Sequence, residues 1–218
     1  YYTIIIPVFN ESSKIDKLIL GLQQYHDKGH EILIIDDGSS DDTYSILSKY
    51  NFISLFRSKH NLGKGNALLK GLKNAKNDKA IIFDGDLELD PNDIKKLMLL
   101  NNNEFKCVFG SRYKNINALS SFWDLGNYFL TTLFNLTNKT NLIDALCCAK
   151  AFYISDLNLS ELKSQGFNID VEISSFLIKV NRKFKTIRIS YKRRSRNDGK
   201  KLHFIDSLSI IKTILRKY

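Results

Sequence analysis

Apolar strands that alternate with helical segments are the feature of this sequence that most narrows its possible folds. In the first half, nearly unbroken apolar runs occupy residues 2–8, 31–36, 53–56 and 79–84, and helical spacing follows at 41–50, 65–75 and 91–100. A strand that is apolar at nearly every position is typical of a parallel sheet buried on both faces. We therefore predict an α/β fold with a mostly parallel central sheet and helices on both faces.

The second half departs from this alternation. We predict strands over 107–110, 147–153 and 184–189 and helices over 119–136, 171–180 and 204–218, the last with Ile205, Leu208, Ile211 and Leu215 on one side. No linker, internal repeat or low-complexity tract divides the chain. We therefore predict a single domain over 1–218, composed of a first half (1–110) and a second half (111–218).

Charge and cysteine content limit the partners and the compartment. The chain has 33 Lys and Arg against 23 Asp and Glu, a net charge of +10, which favours anionic partners such as nucleotides, lipid phosphates, membrane surfaces or nucleic acid. Its 3 cysteines lack the spacing of a zinc site, and we expect a reducing, cytoplasmic compartment. We expect no secretory leader and no spanning helix, because no apolar run approaches roughly 18 residues.

Polar motifs follow the ends of the predicted strands. In chain order they are Pro7-Val8-Phe9-Asn10-Glu11, Asp36-Asp37-Gly38-Ser39, Asn61-Leu62-Gly63-Lys64-Gly65 and Asp84-Gly85-Asp86. The carboxyl ends of parallel strands meet at one sheet edge, where α/β proteins bind ligands. The second motif also fits an ordinary turn with a helix cap, and the Gly63-Lys64-Gly65 turn fits either a helix entry or a phosphate-binding turn.

The acidic triplet Asp84-Gly85-Asp86 indicates a metal site. Two carboxylates one residue apart at a strand end can share Mg²⁺ or Mn²⁺, ions that complete their shells with phosphate oxygens and water. Such an ion would neutralise charge on a departing nucleoside diphosphate. An Asp-x-Asp pattern is also common in solvated turns, so the prediction of a metal site depends largely on the other three motifs.

Together the four motifs resemble family-2 glycosyltransferases of the GT-A fold. The resemblance implies that Pro7, Glu11 and Asp37 hold the nucleoside, that Lys64 lies near the diphosphate, and that Asp84 and Asp86 serve the metal. Asn10, Gly63 and Gly85 belong to the same substrate-binding motifs, and Gly85 stands where Ala is commoner in the family.

The second half is similar to dolichyl- and polyprenyl-phosphate sugar synthases. The similar residues are Gly110-Ser111-Arg112, Gly126-Asn127-Tyr128, Asp144, Glu172, residues 189–194 and residues 198–202. The resemblance implies catalytic roles for Arg112, Asp144 and Glu172, alongside Asp84 and Asp86, and inversion at the sugar carbon. It makes 1–110 the nucleotide-sugar-binding half and 111–218 the acceptor half, and it points most directly to Arg112, Arg194 and Lys200 as ligands of an acceptor phosphate. The same half also supplies Arg193, Arg196 and Lys201 as basic candidates, and a solvated basic tail is the alternative interpretation of these residues.

Acceptor chemistry separates two hypotheses. A lipid phosphate is already ionised and needs arginines that overcome its repulsion from the donor, whereas a glycan hydroxyl needs a general base. The leading hypothesis is therefore metal-dependent transfer of a hexose from a UDP- or GDP-sugar to a polyprenyl phosphate. The alternative is transfer to a hydroxyl, for which Asp144, Asp170 and Glu172 are available.

Two further classes fit the sequence less well. A basic nucleic-acid-binding protein lacks its usual signatures here, so we expect no nucleic-acid partner. A nucleotidyltransferase would carry a glycine-rich loop where this chain has Phe9-Asn10-Glu11. The aromatic segment 119–136 and the basic terminal helix suit an anionic leaflet, which predicts peripheral attachment to the cytoplasmic face of a membrane.

Overall fold

A computed structural model describes residues 1–117, 121–181, 183–194 and 204–216. Within them the strands are β1 Thr3–Val8, β2 Glu31–Asp36, β3 Ile53–Arg57, β4 Lys79–Ile82, β5 Cys107–Ser111, β6 Lys150–Tyr153 and β7 Phe184–Arg188. The helices are α1 Ile15–His26, α2 Thr43–Leu47, α3 Lys64–Asn74, α4 Ile94–Leu97, α5 Phe122–Asn138, α6 Ile169–Val180 and α7 Phe204–Ile214. Short 3₁₀ turns occupy Ser12–Lys14, Pro91–Asp93 and Ile154–Asp156.

The described strands form one sheet with the order β3-β2-β1-β4-β6-β5-β7. Each neighbouring pair is parallel except those of β6, which runs antiparallel to both β4 and β5. The predicted mostly parallel α/β sheet is confirmed, and strands from both halves join in it. The direction of β6 was not predicted, because an apolar run has no sequence signal for the direction in which it pairs.

Apolar clusters cover both faces of the sheet. Alternate residues of β1 point to opposite sides, so Ile4 and Ile6 share a cluster with Leu18 of α1, while Ile5 shares the other with Leu68 of α3. Helices α5, α6 and α7 add to the second cluster. Burial on both faces explains why the central strands are apolar at nearly every position.

The helix predicted over 91–100 is shorter in the structure. A 3₁₀ turn at Pro91–Asp93 leads into α4, which ends at Leu97. Beyond it the amide of Leu100 donates a hydrogen bond to the hydroxyl of Tyr2 at 3.1 Å, and Leu100 is buried. The helix thus ends at Leu97, and the non-helical residues after it allow Leu100 to pack in the core.

On the terminal helix, two residues of the apolar side named from the sequence are exposed, while Ile211 of that side packs against the core. Leu208 and Leu215 are 63% and 57% exposed, whereas Ile210 and Ile214 are buried in the core. Helix α7 carries two apolar rows, and its packing against α5 and α6 determines which row is buried. None of the helices that the structure describes combines the length and hydropathy needed to cross a bilayer.

Candidate active site

A cleft of about 1040 Å³ opens where β1, β2 and β4 end. Strand-end residues form one side, namely Pro7, Asn10, Glu11, Asp37, Gly63, Lys64, Asp84, Gly85 and Asp86. The second half supplies another part of the lining, including Arg112, Trp123, Leu130, Leu146, Phe167, Asp170, Arg193, Arg194 and Ile210. The parallel sheet thus brings residues from distant parts of the chain to one edge.

Asn10 and Asp37 hold the turns that follow β1 and β2. Asn10 has φ 49°, and its side-chain oxygen accepts a hydrogen bond from the amide of Ser40 at 2.8 Å. Asp37 accepts hydrogen bonds from the amides of Leu62 at 3.0 Å and Gly63 at 2.7 Å. Burial raises the pKa of Asp37 although these hydrogen bonds oppose the rise. Asp37 therefore shapes the entry to α3, whatever else it binds.

The glycines beside Lys64 are required by a close backbone approach. Gly63 has φ +93°, and a Cβ there would lie 2.5 Å from the carbonyl oxygen of Gln165. A Cβ on Gly65 would overlap the carbonyl oxygen of Ser164, and the Gly65 amide donates to the Gln165 carbonyl at 2.6 Å. The amides of Gly63 and Gly65 are thus both bonded within the protein, which favours the helix-entry alternative over the phosphate-binding one for these two amides.

Lys64 joins the acidic triplet to the second half of the chain. Its ammonium lies 2.8 Å from Asp84 and 2.8 Å from Asp170, and the side chain is 9% exposed. Burial alone would lower the pKa of Lys64, but Asp170 and Asp84 outweigh burial and hold that pKa well above its ordinary value. The buried Lys150 supports Asp170 from behind, donating to its carbonyl oxygen at 3.0 Å. Lys64 is therefore a fixed positive charge at the triplet.

Arg194 contacts the other carboxylate of the triplet. Its guanidinium donates to Asp86 at 2.7 Å and to both oxygens of Glu11 at 3.2 Å. Its backbone amide donates to Glu88 at 3.1 Å. An antiparallel bridge between Leu89 and Tyr191 brings this segment over the triplet. Arg194, predicted as an acceptor ligand, thus lies against the predicted metal and nucleoside residues.

The triplet suits a hard divalent cation whose shell is completed by a ligand. Asp84 and Asp86 each form an ion pair with a side-chain cation, so positive charge is favourable at both carboxylates. Within the described ranges, no group of three or more His, Cys, Asp or Glu is arranged to hold a metal by itself. Two carboxylates with phosphate oxygens and water would satisfy Mg²⁺ or Mn²⁺.

Two carboxylates that were predicted to be catalytic bind other groups of the protein. Asp144 forms a paired salt bridge with Arg112, with both nitrogen–oxygen distances at 2.8 Å. Glu172 is fully buried and accepts hydrogen bonds from the amides of Lys163 at 3.1 Å and Ser164 at 2.8 Å. Neither residue lines the cleft. Both serve to position other groups: Asp144 orients Arg112, and Glu172 holds the segment against which Gly65 packs.

Other residues were missed by the sequence analysis or lie outside the structural description. Arg196 and Lys200, predicted to bind the acceptor, fall among the residues that are not described. Glu88 was missed, although it continues the alternating acids of the triplet. Lys150 was also missed, and its signal was a lone cation within the otherwise apolar segment 147–153.

Part of the cleft lining is apolar. Helix α5 contributes Trp123 and Leu130, α7 contributes Ile210, and loops contribute Leu146 and Phe167. This apolar part was not predicted, because it depends on how α5 and α7 pack against the sheet. The cleft lining therefore combines the charged residues of the triplet with apolar side chains from the second half.

Comparison with known families gives one match over most of the chain. Residues 3–158 match Glycosyl transferase family 2. A dolichyl-phosphate beta-glucosyltransferase of Trichomonas vaginalis is 32% identical over 134 residues, which are 53% of this chain and 40% of that protein. A UDP-N-acetylglucosamine–dolichyl-phosphate N-acetylglucosaminyltransferase of Methanococcus voltae is 31% identical over 156 residues, 60% of this chain and 61% of that protein. The chain thus spans less than two thirds of either relative.

Solved structures show the same fold. Glucosyl-3-phosphoglycerate synthase from Mycobacterium tuberculosis, in complex with Mn²⁺, uridine diphosphate and phosphoglyceric acid, superimposes with a TM-score of 0.73. The match covers 98% of this chain and 77% of that protein at 16% identity. At this identity the similarity concerns the fold.

Proposed function

The chain belongs to glycosyl transferase family 2, has the GT-A fold and is a glycosyltransferase, and on that premise we propose that it transfers a hexose from a nucleotide sugar to a polyprenyl phosphate. The donor would be a UDP- or GDP-sugar. The relatives named for dolichyl-phosphate acceptors support this proposal, and so do the residues that line the cleft.

The observation that carries the proposal is the mixed lining of the cleft. Carboxylates and internal cations line it around Asp84 and Asp86, and Trp123, Leu130 and Ile210 add an apolar part. A nucleoside diphosphate with its metal suits the charged part. A lipid phosphate needs an apolar wall and cations, and the same lining includes Arg112 and Arg193, which are paired with Asp144 and Asp124.

At the donor end each residue has a proposed role. Asp84 and Asp86 would hold Mg²⁺ or Mn²⁺, which would neutralise charge on the departing diphosphate. Lys64 would add a second positive charge there, and Glu11 and Asp37 would face the nucleoside, with Pro7, Asn10, Gly63 and Gly85 shaping that part of the cleft. Stabilisation of the leaving group is usually the largest electrostatic contribution to such a reaction.

At the acceptor end the chemistry needs no base. An oxygen of the lipid phosphate would attack the sugar carbon as the bond to the diphosphate breaks, which inverts the configuration and releases the nucleoside diphosphate. A hydroxyl acceptor would require a free carboxylate. The three carboxylates available for that role are already engaged or buried: Asp144 is paired with Arg112, Asp170 is paired with Lys64, and Glu172 is buried. This favours transfer to a phosphate over transfer to a hydroxyl.

The outer faces of α5 and α7 support attachment to a membrane surface. Phe122, Leu125, Phe129 and Leu136 of α5 are 50% to 72% exposed, and we call these four residues the outer apolar face. On α7, the exposed Leu208 lies near the exposed Lys212. An apolar stripe beside cations suits the interface of an anionic leaflet. We therefore propose peripheral binding at the cytoplasmic face.

The function is tested by following the sugar. The protein is incubated with Mn²⁺, a radiolabelled nucleotide sugar, and either a short polyprenyl phosphate or a sugar acceptor. We expect label to enter the organic phase only with the polyprenyl phosphate. Label confined to a water-soluble glycoside would favour the hydroxyl alternative and contradict the proposal. Asp86→Asn should abolish transfer, while Asp42→Asn, the same change at an exposed residue outside the cleft, should retain it.

A further inference from the structure

Arg194 contacts carboxylates around the triplet with both terminal nitrogens of its guanidinium. One terminal nitrogen donates to Asp86 at 2.7 Å, the other to Glu11 at 3.2 Å, and Nε lies 3.6 Å from Glu88. The side chain is 11% exposed. A guanidinium binds a phosphate through two parallel N–H groups. For Arg194 to bind an acceptor phosphate in this way, its terminal nitrogens must first leave Asp86 and Glu11.

Arg194 and a divalent cation would compete for the same carboxylate. Among the described ion pairs, Arg194 joins Asp86, Glu11 and Glu88, and Lys64 joins Asp84 and Asp170. The two carboxylates of the triplet therefore each face a different side-chain cation. A metal bound by Asp86 would take the place of the positive charge that Arg194 supplies there.

The two cations at the triplet are held differently. Lys64 begins α3 and is shared between Asp84 and Asp170, so helix and second-half contacts keep it in place. Arg194 follows the paired segment in which the amide of Lys192 donates to the carbonyl of Glu88 at 2.8 Å. Moving the Arg194 side chain off Asp86 leaves that pairing intact. Arg194 is therefore the cation that can be exchanged with the least rearrangement.

We propose that Arg194 is an internal counter-ion of Asp86 that a divalent cation displaces, and that the displaced guanidinium then serves the acceptor phosphate. The inference rests on the proposed function and adds a coupling between its two ends. Metal binding removes Arg194 from the donor end and makes it available at the acceptor end. Because coupling between two sites is reciprocal, a ligand that binds the displaced Arg194 also strengthens metal binding.

Mn²⁺ affinity without donor or acceptor tests the displacement. Free Mn²⁺ is measured by electron paramagnetic resonance in titrations of the wild type, Arg194→Gln, Arg194→Lys and Lys192→Gln. We expect Arg194→Gln to bind Mn²⁺ at least about tenfold more tightly than the wild type, because the competing cation is gone. Arg194→Lys should fall between them, since it keeps the charge and loses the planar fork.

Lys192→Gln is the matched control, because it removes one positive charge from an exposed side chain two positions away. Its Mn²⁺ affinity should stay within about twofold of the wild type. Equal affinities of wild type and Arg194→Gln would overturn the proposal, and so would equal gains in Arg194→Gln and Lys192→Gln. If Arg194→Gln does not fold, an Arg194→Lys affinity equal to that of the wild type would overturn it.

Binding of a prenyl phosphate tests the second step. Calorimetric titration with farnesyl phosphate should show at least about fivefold tighter binding when Mn²⁺ and UDP are present, and Arg194→Gln should abolish that gain. An equal gain in wild type and Arg194→Gln would overturn the coupling. The Mn²⁺ titration needs neither sugar nor lipid, so it stands even if transfer to a lipid phosphate fails.

Discussion

Single carboxylates at the edge of the sheet fall into two groups according to what they hold. Asp37 and Asp41 accept hydrogen bonds from backbone amides and so fix the shape of turns. Asp84 and Asp86 hold the side-chain cations Lys64 and Arg194 instead. Amide partners stay with the fold, whereas side-chain cations can be exchanged for a ligand or metal. The difference separates the structural acids from those we assign to chemistry.

Asp41 makes the stability of this edge depend on pH. Its carboxylate accepts hydrogen bonds from the amides of Thr43 at 3.0 Å and Ser12 at 3.1 Å. Burial opposes ionisation, but these hydrogen bonds outweigh it and lower the pKa of Asp41 to about 2. Because this pKa lies below the unfolded value of about 3.9, the stabilisation is present above about pH 4 and is lost toward pH 2.

We expect Asp41→Asn to unfold at lower urea than the wild type at pH 7, with the two midpoints converging near pH 2. Circular dichroism across this range measures the effect. Asp42→Asn should follow the wild type throughout, because the Asp42 side chain caps no helix amide. If the difference in urea midpoint between wild type and Asp41→Asn stays constant with pH, ionisation of Asp41 is not the source of that difference.

At the scale of elements, the sequence predicted strands better than helices. Burial on both faces makes a strand apolar throughout, so β2 lies where it was predicted, over Glu31–Asp36. The ends of α4 and the buried face of α7 depend on tertiary contacts such as that between Leu100 and Tyr2, which local spacing does not encode. The order of strands and the direction of β6 are set by the same long-range packing.

The candidate site divides in the same way. Strand-end motifs located residues that line the cleft, because the carboxyl ends of parallel strands meet at one edge. The partners of Arg194 and the apolar part of the lining could not be predicted, since both depend on where the second half packs. The roles of Asp144 and Glu172 also required the structure, because only their partners reveal that these carboxylates hold other groups.

The contact between the start of α3 and the loop before α6 makes a testable demand on Gly65. A methyl group there would overlap the carbonyl oxygen of Ser164, which is backbone and cannot move aside cheaply. We expect Gly65→Ala to lower the free energy of unfolding by about 2 kcal/mol or more. Chemical denaturation of both proteins measures the difference.

Gly126→Ala is the matched control within α5. Nothing lies within 4 Å of the added carbon at that position. Alanine should be neutral there or raise stability by about 0.5–1 kcal/mol, because it favours the helix over the unfolded chain. Equal destabilisation by the two substitutions would show that Gly65 is not under steric constraint.

At the scale of the whole molecule, binding to vesicles tests the outer apolar face. We expect the protein to sediment with phosphatidylglycerol-rich vesicles and expect Phe122→Ser combined with Phe129→Ser to weaken this binding several-fold. Raising the salt concentration from about 0.1 M to about 1 M should also weaken this binding, because the Debye screening length falls from about 10 Å to about 3 Å.

Leu20→Ser controls for the loss of exposed apolar area, because Leu20 is 78% exposed on α1. This variant should bind vesicles as the wild type does. Wild-type binding to neutral and anionic vesicles with equal affinity would contradict the electrostatic part of the proposal. Unchanged binding of the double variant would place the contact elsewhere on the surface.

The position of Trp123 has an optical consequence. It is the only tryptophan in a sequence that also has 10 tyrosines, and its half-buried indole lines the cleft. Light absorbed at the red edge of the protein spectrum excites this indole selectively, so its emission comes from one wall of the cleft. Emission wavelength and quenching by iodide therefore report occupancy of that wall without an attached dye, and the protein provides its own fluorescent probe.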